Sequence, residues 1–346
     1  MLMLVIVFFA VLEVFLGIYD YFNPRCDFMS SPVSQDLDYE IRKDICQTWK
    51  IHQIYIDPVT GISQNEPNQH FPSININSHG FRGPEISKEK PDETYRIFVV
   101  GGSTTFSIRA LTDHHTIPGY LQQKFDESSL DKKIEVINAG ISAITSTDEL
   151  HLVTTKIIEF EPNLIIIYDG HNDIVNSPGK TKNTTSDDLL TQIWKKYLSF
   201  YNTPFVIGGI IADAKHSVAP YLINTNFPKK VEVWKTNLIS ICELGDQKGF
   251  KTLIFLQPFL GAGNKTFTEH EKELFEQPYS AEFVSGYELF SNELNDLENY
   301  CSKATDLRDI FDDEKNNIYF DRAHVDSESN EIIADKIFEV VEPLVN

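Results

Sequence analysis

Two short sequence clusters have the residue types of a nucleophile and of its general base. Ser103 follows Gly101 and Gly102, which let the backbone turn sharply and would leave the serine exposed. Asp321 precedes His324 by three residues, a spacing at which a carboxylate can orient the imidazole of a base. The alternatives are a serine that caps a helix, and a histidine in a surface ion pair or acting as an isolated metal ligand.

Two further clusters could supply hydrogen-bond donors to an oxyanion. Gly140 ends the sequence Asn-Ala-Gly and could offer an unobstructed backbone N–H. Asn172, in the polar sequence Asp-Gly-His-Asn-Asp, could offer its side-chain amide. Ordinary turns are an alternative explanation of both clusters. No phosphate-binding glycine motif and no set of metal ligands in register is present, so we expect no cofactor and no metal.

Short apolar runs predict the strands that position these residues. They are Ile97–Val100, Val136–Ile137, Leu164–Tyr168 and Leu253–Leu256. A further apolar run, Ile318–Phe320, comes directly before Asp321 and is interpreted in the same way. Helices are predicted over Asp148–Phe160, around Trp234 as far as Gly249, and at the C-terminus, where Ile333, Ile337 and Val341 share one face. Alternating strands and helices predict a parallel sheet covered on both sides, a three-layer α/β/α sandwich. Ligands bind beyond the carboxyl ends of such strands.

Taken in order along an α/β chain, these clusters resemble the SGNH (GDSL-like) hydrolase family over residues 94–346. The hallmark residues of that family map to Ser103, Gly140, Asn172 and His324, and Asp321 completes a catalytic triad. The resemblance implies a flavodoxin-like sheet, the SGNH hydrolase fold. It also implies acyl transfer by Ser103, with His324 as base, and an oxyanion hole formed by the Ser103 and Gly140 N–H groups and the Asn172 amide.

The chain also departs from the pattern of that family. Gly102 stands where many members have aspartate, and the leucine-containing GDSL form is absent, which argues against close kinship with secreted plant-type lipases. The stretch 77–83, Asn-Ser-His-Gly-Phe-Arg-Gly, resembles a flank of membrane-anchored members.

The first residues predict a membrane anchor at 1–22. Leu2 to Tyr19 is apolar apart from Glu13 and Gly17, and bulky aromatic residues follow where a signal peptide would carry a cleavage site. A cleaved signal peptide is the competing interpretation. An anchor implies a single-pass membrane protein whose catalytic domain lies outside the cytoplasm, although only Met1 precedes the span and flanking charges do not set its orientation.

The remaining chain divides into an irregular, proline-punctuated stalk and flank at 23–93 and the hydrolase domain at 94–346. An insertion at about 174–230 is rich in aromatic residues and could be a lid, a wall for a sugar ring, a membrane-dipping patch or a subdomain that buries its own side chains. Among the four cysteines, Cys26 and Cys46 could form a disulfide in an oxidising compartment, with four isolated thiols as the alternative.

The predicted function is hydrolysis of acyl esters of a glycan or lipid. A formal net charge of −21 argues against a nucleic-acid partner. The resemblance to the SGNH family implies a small-molecule or glycan ester as the substrate. An O-acyltransferase with the same triad and a catalytically silent binding module are the alternatives, and the intact set of catalytic residue types argues against the second.

Overall fold

The computed structural model describes residues 2–22, 26–58, 60–175 and 225–345, and for several residues of the first helix it describes only the backbone. Most of the predicted insertion, including its aromatic residues between Trp194 and Phe205, lies outside the described residues.

The helices and strands of the described part alternate from residue 94 onward, as predicted. The strands are β1 (Ile54–Ile56), β2 (Ser63–Asn65), β3 (Gln69–His70), β4 (Asn75–Ile76), β5 (Thr94–Gly101), β6 (Lys133–Gly140), β7 (Leu164–Asp169), β8 (Lys251–Leu256) and β9 (Lys303–Asp306). The α-helices are α1 (Leu2–Phe22), α2 (Asp27–Ser30), α3 (Tyr39–Ile51), α4 (Ser103–Phe106), α5 (Ile117–Glu127), α6 (Ser146–Thr155), α7 (His171–Val175), α8 (Phe227–Lys248), α9 (Glu269–Phe275), α10 (Ser280–Asn292), α11 (Leu294–Leu297) and α12 (Ser327–Val345).

The central sheet is parallel and has the strand order β6-β5-β7-β8-β9. Counted within the sheet alone, this is the order 2-1-3-4-5 of the flavodoxin-like fold, which confirms the predicted architecture. Gly101 pairs with Gly140 on one side and with Tyr168 on the other, so the ends of β5, β6 and β7 lie side by side. Ligands of such sheets bind where the strand order reverses, between β5 and β7 here.

Alternate side chains of each strand enter two separate cores. Phe98 and Val100 of β5 pack with Trp234 of α8, whereas Ile97 and Val99 pack with Ile333 of α12. All of these side chains are fully buried. Continuous apolar strands of this kind are buried on both faces, which explains why the sequence predicts β5, β7 and β8 so directly.

Two predicted elements differ from the structure. Ile318–Phe320 is not a strand of the central sheet; it is a buried loop before α12, with a single antiparallel bridge between Tyr319 and Val325. Residues 23–93 are more regular than predicted, since they contain the 13-residue helix α3 and two short antiparallel strand pairs.

Each of the two parts of the chain contains one disulfide. Cys26 is bonded to Cys46, the pair considered from the sequence, and Cys242 is bonded to Cys301, which spacing alone does not predict. The alternative of four isolated thiols is therefore wrong for this structure.

Counting only residues that the structure describes, no helix combines the length and the apolar character needed to cross a membrane. The anchor at residues 1–22 stays a prediction.

Candidate active site

Close backbone packing places Ser103 at the carboxyl edge of the sheet. The short helix α4 begins at Ser103 and lies directly on the ends of β5 and β6. A Cβ atom at Gly101 would lie 2.2 Å from Thr105 Oγ1, and one at Gly140 would lie 2.2 Å from the Phe106 backbone nitrogen. Glycine at both strand ends is what allows α4 to approach the sheet this closely.

A buried arginine from the 77–83 flank holds the other end of α4. Arg82 Nη1 donates to the carbonyl oxygens of Phe106 and Ser107, at 2.7 and 3.0 Å. Its Nε donates to Asp113 Oδ1 at 2.7 Å, and the guanidinium lies over the Phe106 ring. The 77–83 flank therefore braces the helix that carries Ser103.

Ser103, His324 and Asp321 form one hydrogen-bonded chain. His324 Nε2 lies 2.7 Å from Ser103 Oγ, and Nδ1 lies 2.7 Å from Asp321 Oδ2. The backbone N–H groups of Ala323 and His324 donate to Asp321 Oδ1 at 3.0 and 2.9 Å, so the carboxylate is fixed by its own loop. Because an ionised carboxylate only accepts hydrogen bonds, Nδ1 carries the proton and the Nε2 lone pair faces the serine hydroxyl.

The charge of Asp321 is secured by its neighbours. Burial alone would raise the pKa of this carboxyl, but His324 and Arg109 together lower it well below its usual range. Arg109 Nη2 lies 3.6 Å from Asp321 Oδ2, and the guanidinium stacks over the Phe320 ring. Asp321 is therefore ionised at any pH near neutrality. Sequence reasoning missed Arg109, since no spacing rule connects it to Asp321.

Asn172 lies against Gly102, the residue before Ser103, at the end of the neighbouring strand. It lies in α7, directly after β7, and its Nδ2 donates to the Ile144 carbonyl oxygen at 2.7 Å. A Cβ atom at Gly102 would lie 2.3 Å from that Nδ2, so the amide rests against the residue before Ser103. An amide nitrogen carries two hydrogens, and one remains for an oxyanion beside Ser103.

Gly140 does not offer the free N–H that the sequence predicted. Its N–H donates to Asn138 Oδ1 at 3.0 Å, and its carbonyl accepts from Asn65 Nδ2 at 3.1 Å. Asparagine side chains commonly bind the backbone two residues ahead, and the Asn-Ala-Gly sequence contained that signal. In this structure Gly140 serves the packing of α4, and a donor role for it is not supported.

A second histidine lies against the base. The His171 ring is 6.3 Å from the His324 ring and 5.7 Å from the Phe259 ring, measured between centroids. Burial, followed by the charge of His324, lowers the pKa of His171 to about 4, so this ring is neutral at neutral pH.

Asp173, the residue after Asn172, interacts with two other buried carboxyl groups, those of Glu149 and Asp169. Asp173 accepts from the N–H and hydroxyl of Ser146 at 2.9 and 2.6 Å, while both oxygens of Glu149 have no hydrogen-bond partner among the described residues. Burial raises the pKa of Glu149, Asp169 and Asp173. The charges of Asp169 and Asp173 raise the pKa of Glu149 further.

Across the described ranges, no group of three or more histidine, cysteine, aspartate or glutamate side chains is arranged to hold a metal ion.

No protein-family model matches the chain, and no curated protein matches it either. Solved structures similar to it include the acetyl xylan esterase AlAXEase, with 13% identity over 71% of this chain and 99% of that chain, and a TM-score of 0.43. TesA is similar at 15% identity over 72% of this chain and 99% of that one, with a TM-score of 0.43. Axe2, an acetylxylan esterase from Geobacillus stearothermophilus, is 14% identical over 71% of this chain and 93% of that one, with a TM-score of 0.44.

Proposed function

We propose that the chain is a serine esterase of the SGNH type that cleaves acyl esters through Ser103, His324 and Asp321. The observation that carries the proposal is the continuous hydrogen-bonded chain from Ser103 Oγ through both nitrogens of His324 to Asp321. A nucleophile within 2.7 Å of a base, and a base oriented by a carboxylate, is the arrangement that activates a hydroxyl.

In the first half of the reaction, Ser103 Oγ attacks the ester carbonyl carbon and its proton passes to His324 Nε2. The tetrahedral intermediate collapses as the C–O bond to the alcohol breaks, and the departing alcohol takes the proton from Nε2. In the second half, water attacks the acyl-serine and gives a proton to His324. The acid leaves as that proton returns to Ser103.

The oxyanion of the tetrahedral intermediate needs donors close to Ser103 Oγ. The Ser103 backbone N–H and the second hydrogen of the Asn172 amide are two such donors. We assign the third to the backbone N–H of Ala143. Ala143 is an exposed residue with a left-handed φ of 64°, and the carbonyl of the next residue, Ile144, accepts from the Asn172 amide. An alanine is strained in this conformation, by about 1–2 kcal/mol, and such strain is common where a backbone group faces a substrate.

We further propose that the substrate is a short acyl ester of a glycan or lipid, and that residues 1–22 anchor the enzyme with its catalytic domain outside the cytoplasm. Two disulfides support the location, because disulfides persist in oxidising compartments. The apolar sequence of residues 2–19 supports the anchor.

The test is acid release from p-nitrophenyl acetate and from acetylated sugars by the full chain, beside His324→Ala. We expect the wild type to release acetate and the variant to lose at least about 10³-fold in kcat while staying folded. Unchanged turnover in His324→Ala would refute the assignment of the base. Transfer of acetyl to an added sugar, without free acetate, would favour the acyltransferase.

A further inference from the structure

Large apolar side chains that are exposed to solvent are concentrated in one short segment of the protein. Among the described residues outside α1, only Tyr300 and six residues between positions 39 and 56 are of this kind, and each is at least 38% exposed. Those six are Tyr39, Ile41, Trp49, Ile51, Ile54 and Ile56. Single exposed apolar side chains are ordinary, whereas a contiguous group of them marks a surface that meets a partner.

Four of these side chains lie at the junction of α3 and β1. Trp49 and Ile54 line the same cavity, of about 480 Å³, so they are neighbours in space. Ile54 and Ile56 are alternate residues of β1 and therefore face the same side of its strand pair with β2. Ile51 is the last residue of α3 and lies between Trp49 and Ile54 in the chain. We call these four residues the 49–56 surface.

The 49–56 surface is tethered to the end of α1. Cys26 comes four residues after Phe22, the last residue of α1, and an extended chain of that length spans at most about 14 Å. The disulfide sets the Cα atoms of Cys26 and Cys46 5.9 Å apart, and Trp49 follows Cys46 by less than one turn of α3. Trp49 is therefore confined to within about 25 Å of the point where the proposed anchor leaves the bilayer.

A lipid bilayer is the partner that fits this surface, because it is the nearest apolar phase and because tryptophan is enriched at the headgroup level of membranes. We propose that the 49–56 surface rests on the bilayer that α1 enters, with Trp49 among the headgroups and the three isoleucines in contact with acyl chains. Arg109 lines the same cavity as Trp49 and lies 3.6 Å from Asp321, so the docked protein holds its triad close to esters in the membrane. This inference rests on the anchor proposed above.

The experiment is photocrosslinking of the full chain reconstituted into phosphatidylcholine vesicles. The photoreactive residue p-benzoylphenylalanine replaces Ile54 in one sample and Tyr300 in the matched control, side chains that are 38% and 43% exposed. Ile54 pairs with Asn65, whose amide binds Gly140 at one edge of the central sheet. Tyr300 lies at the opposite edge, three residues before β9. We expect lipid adducts at position 54 in at least about tenfold excess over position 300, and an unchanged yield in high salt because the contact is apolar.

The same photoreactive residue in place of Ile56 is the second variant, and we expect the same excess there. Extraction with alkaline carbonate tests the anchor separately, since only a membrane-embedded chain stays with the vesicles. A retained, folded chain without excess lipid adducts at positions 54 and 56 would overturn the docking and leave the anchor standing. An extracted chain would refute the anchor; with the adducts it would still support the lipid contact, and without them it would overturn both. Crosslinks from position 54 to a second copy of the chain, in place of lipid, would also overturn the proposal.

Discussion

Gly102→Ala should disable the oxyanion site without touching the triad. Gly102 has φ −78° and ψ −152°, a backbone conformation open to alanine, so the substitution adds a methyl group and no backbone strain. That methyl carbon would lie 2.3 Å from Asn172 Nδ2, where ordinary contact begins near 3.4 Å. The amide must therefore retreat by about 1 Å.

Such a shift moves the Asn172 amide away from its 2.7 Å hydrogen bond to Ile144 and away from the oxyanion. Loss of one oxyanion donor costs about 10²–10³ in kcat, or about 2.7–4 kcal/mol. KM should change little, because the interaction arises only as the oxyanion forms.

The assay is hydrolysis of p-nitrophenyl acetate by Gly102→Ala, Asn172→Ala and the double variant. Because both substitutions act on the same amide, we expect the double variant to be no slower than Asn172→Ala alone. If the two losses instead multiply, the methyl group acts elsewhere and our assignment of Asn172 as the affected donor is refuted. Circular dichroism provides the control for folding.

Three further predictions concern charge and cross-links. Arg109→Gln should lower the free energy of unfolding at pH 7 by less than about 1 kcal/mol, since the ion pair with Asp321 is half-exposed. The pKa of Asp321 is depressed in the folded state, so this difference should narrow as the pH falls below about 4, and a difference that grows in acid would contradict it. Glu149→Gln should raise Tm at pH 8 by about 2–4 °C and have less effect at pH 5. Burial raises the pKa of Glu149 in the folded protein, so the wild type loses stability as the pH rises. Calorimetry at both pH values tests this, and a lower Tm of the variant at pH 8 would show that the carboxylate is paired. Replacing Cys242 and Cys301 with alanine should cost about 4 kcal/mol in urea unfolding, from a loop of 59 residues, and no loss would mean that the bond does not constrain the unfolded chain.

The sequence predicts the buried parts of the fold well and its polar edges poorly. The apolar strands β5, β7 and β8 lie at the predicted positions, because strands buried on both faces are continuous apolar runs. The edge strand β9 (Lys303–Asp306) carries mainly polar residues and gives no such signal. Ile318–Phe320 gave a false one, since its buried side chains belong to a loop and not to a strand of the sheet.

The same contrast holds for the candidate site. The Asp321–His324 pair is local, and three-residue spacing predicts its contact directly. Arg109 and His171 act through tertiary contacts that no short spacing encodes. Gly140 shows the limit of a family motif. The motif identifies the glycine as a donor, whereas the local Asn-Ala-Gly sequence indicates that the Asn138 side chain binds its N–H.

The central claim is that Ser103 is an activated nucleophile, and covalent labelling by a fluorophosphonate probe tests it most directly. The comparison is the full chain beside Ser103→Ala, with Ser107→Ala as matched control. The Ser107 hydroxyl donates to the Thr104 carbonyl in the same turn, whereas the described hydrogen bond of His324 Nε2 is to Ser103. We predict labelling of the wild type and of Ser107→Ala, none of Ser103→Ala, and mapping of the adduct to Ser103. Labelling that persists in a folded Ser103→Ala variant, or a folded wild type that does not react, would contradict the account.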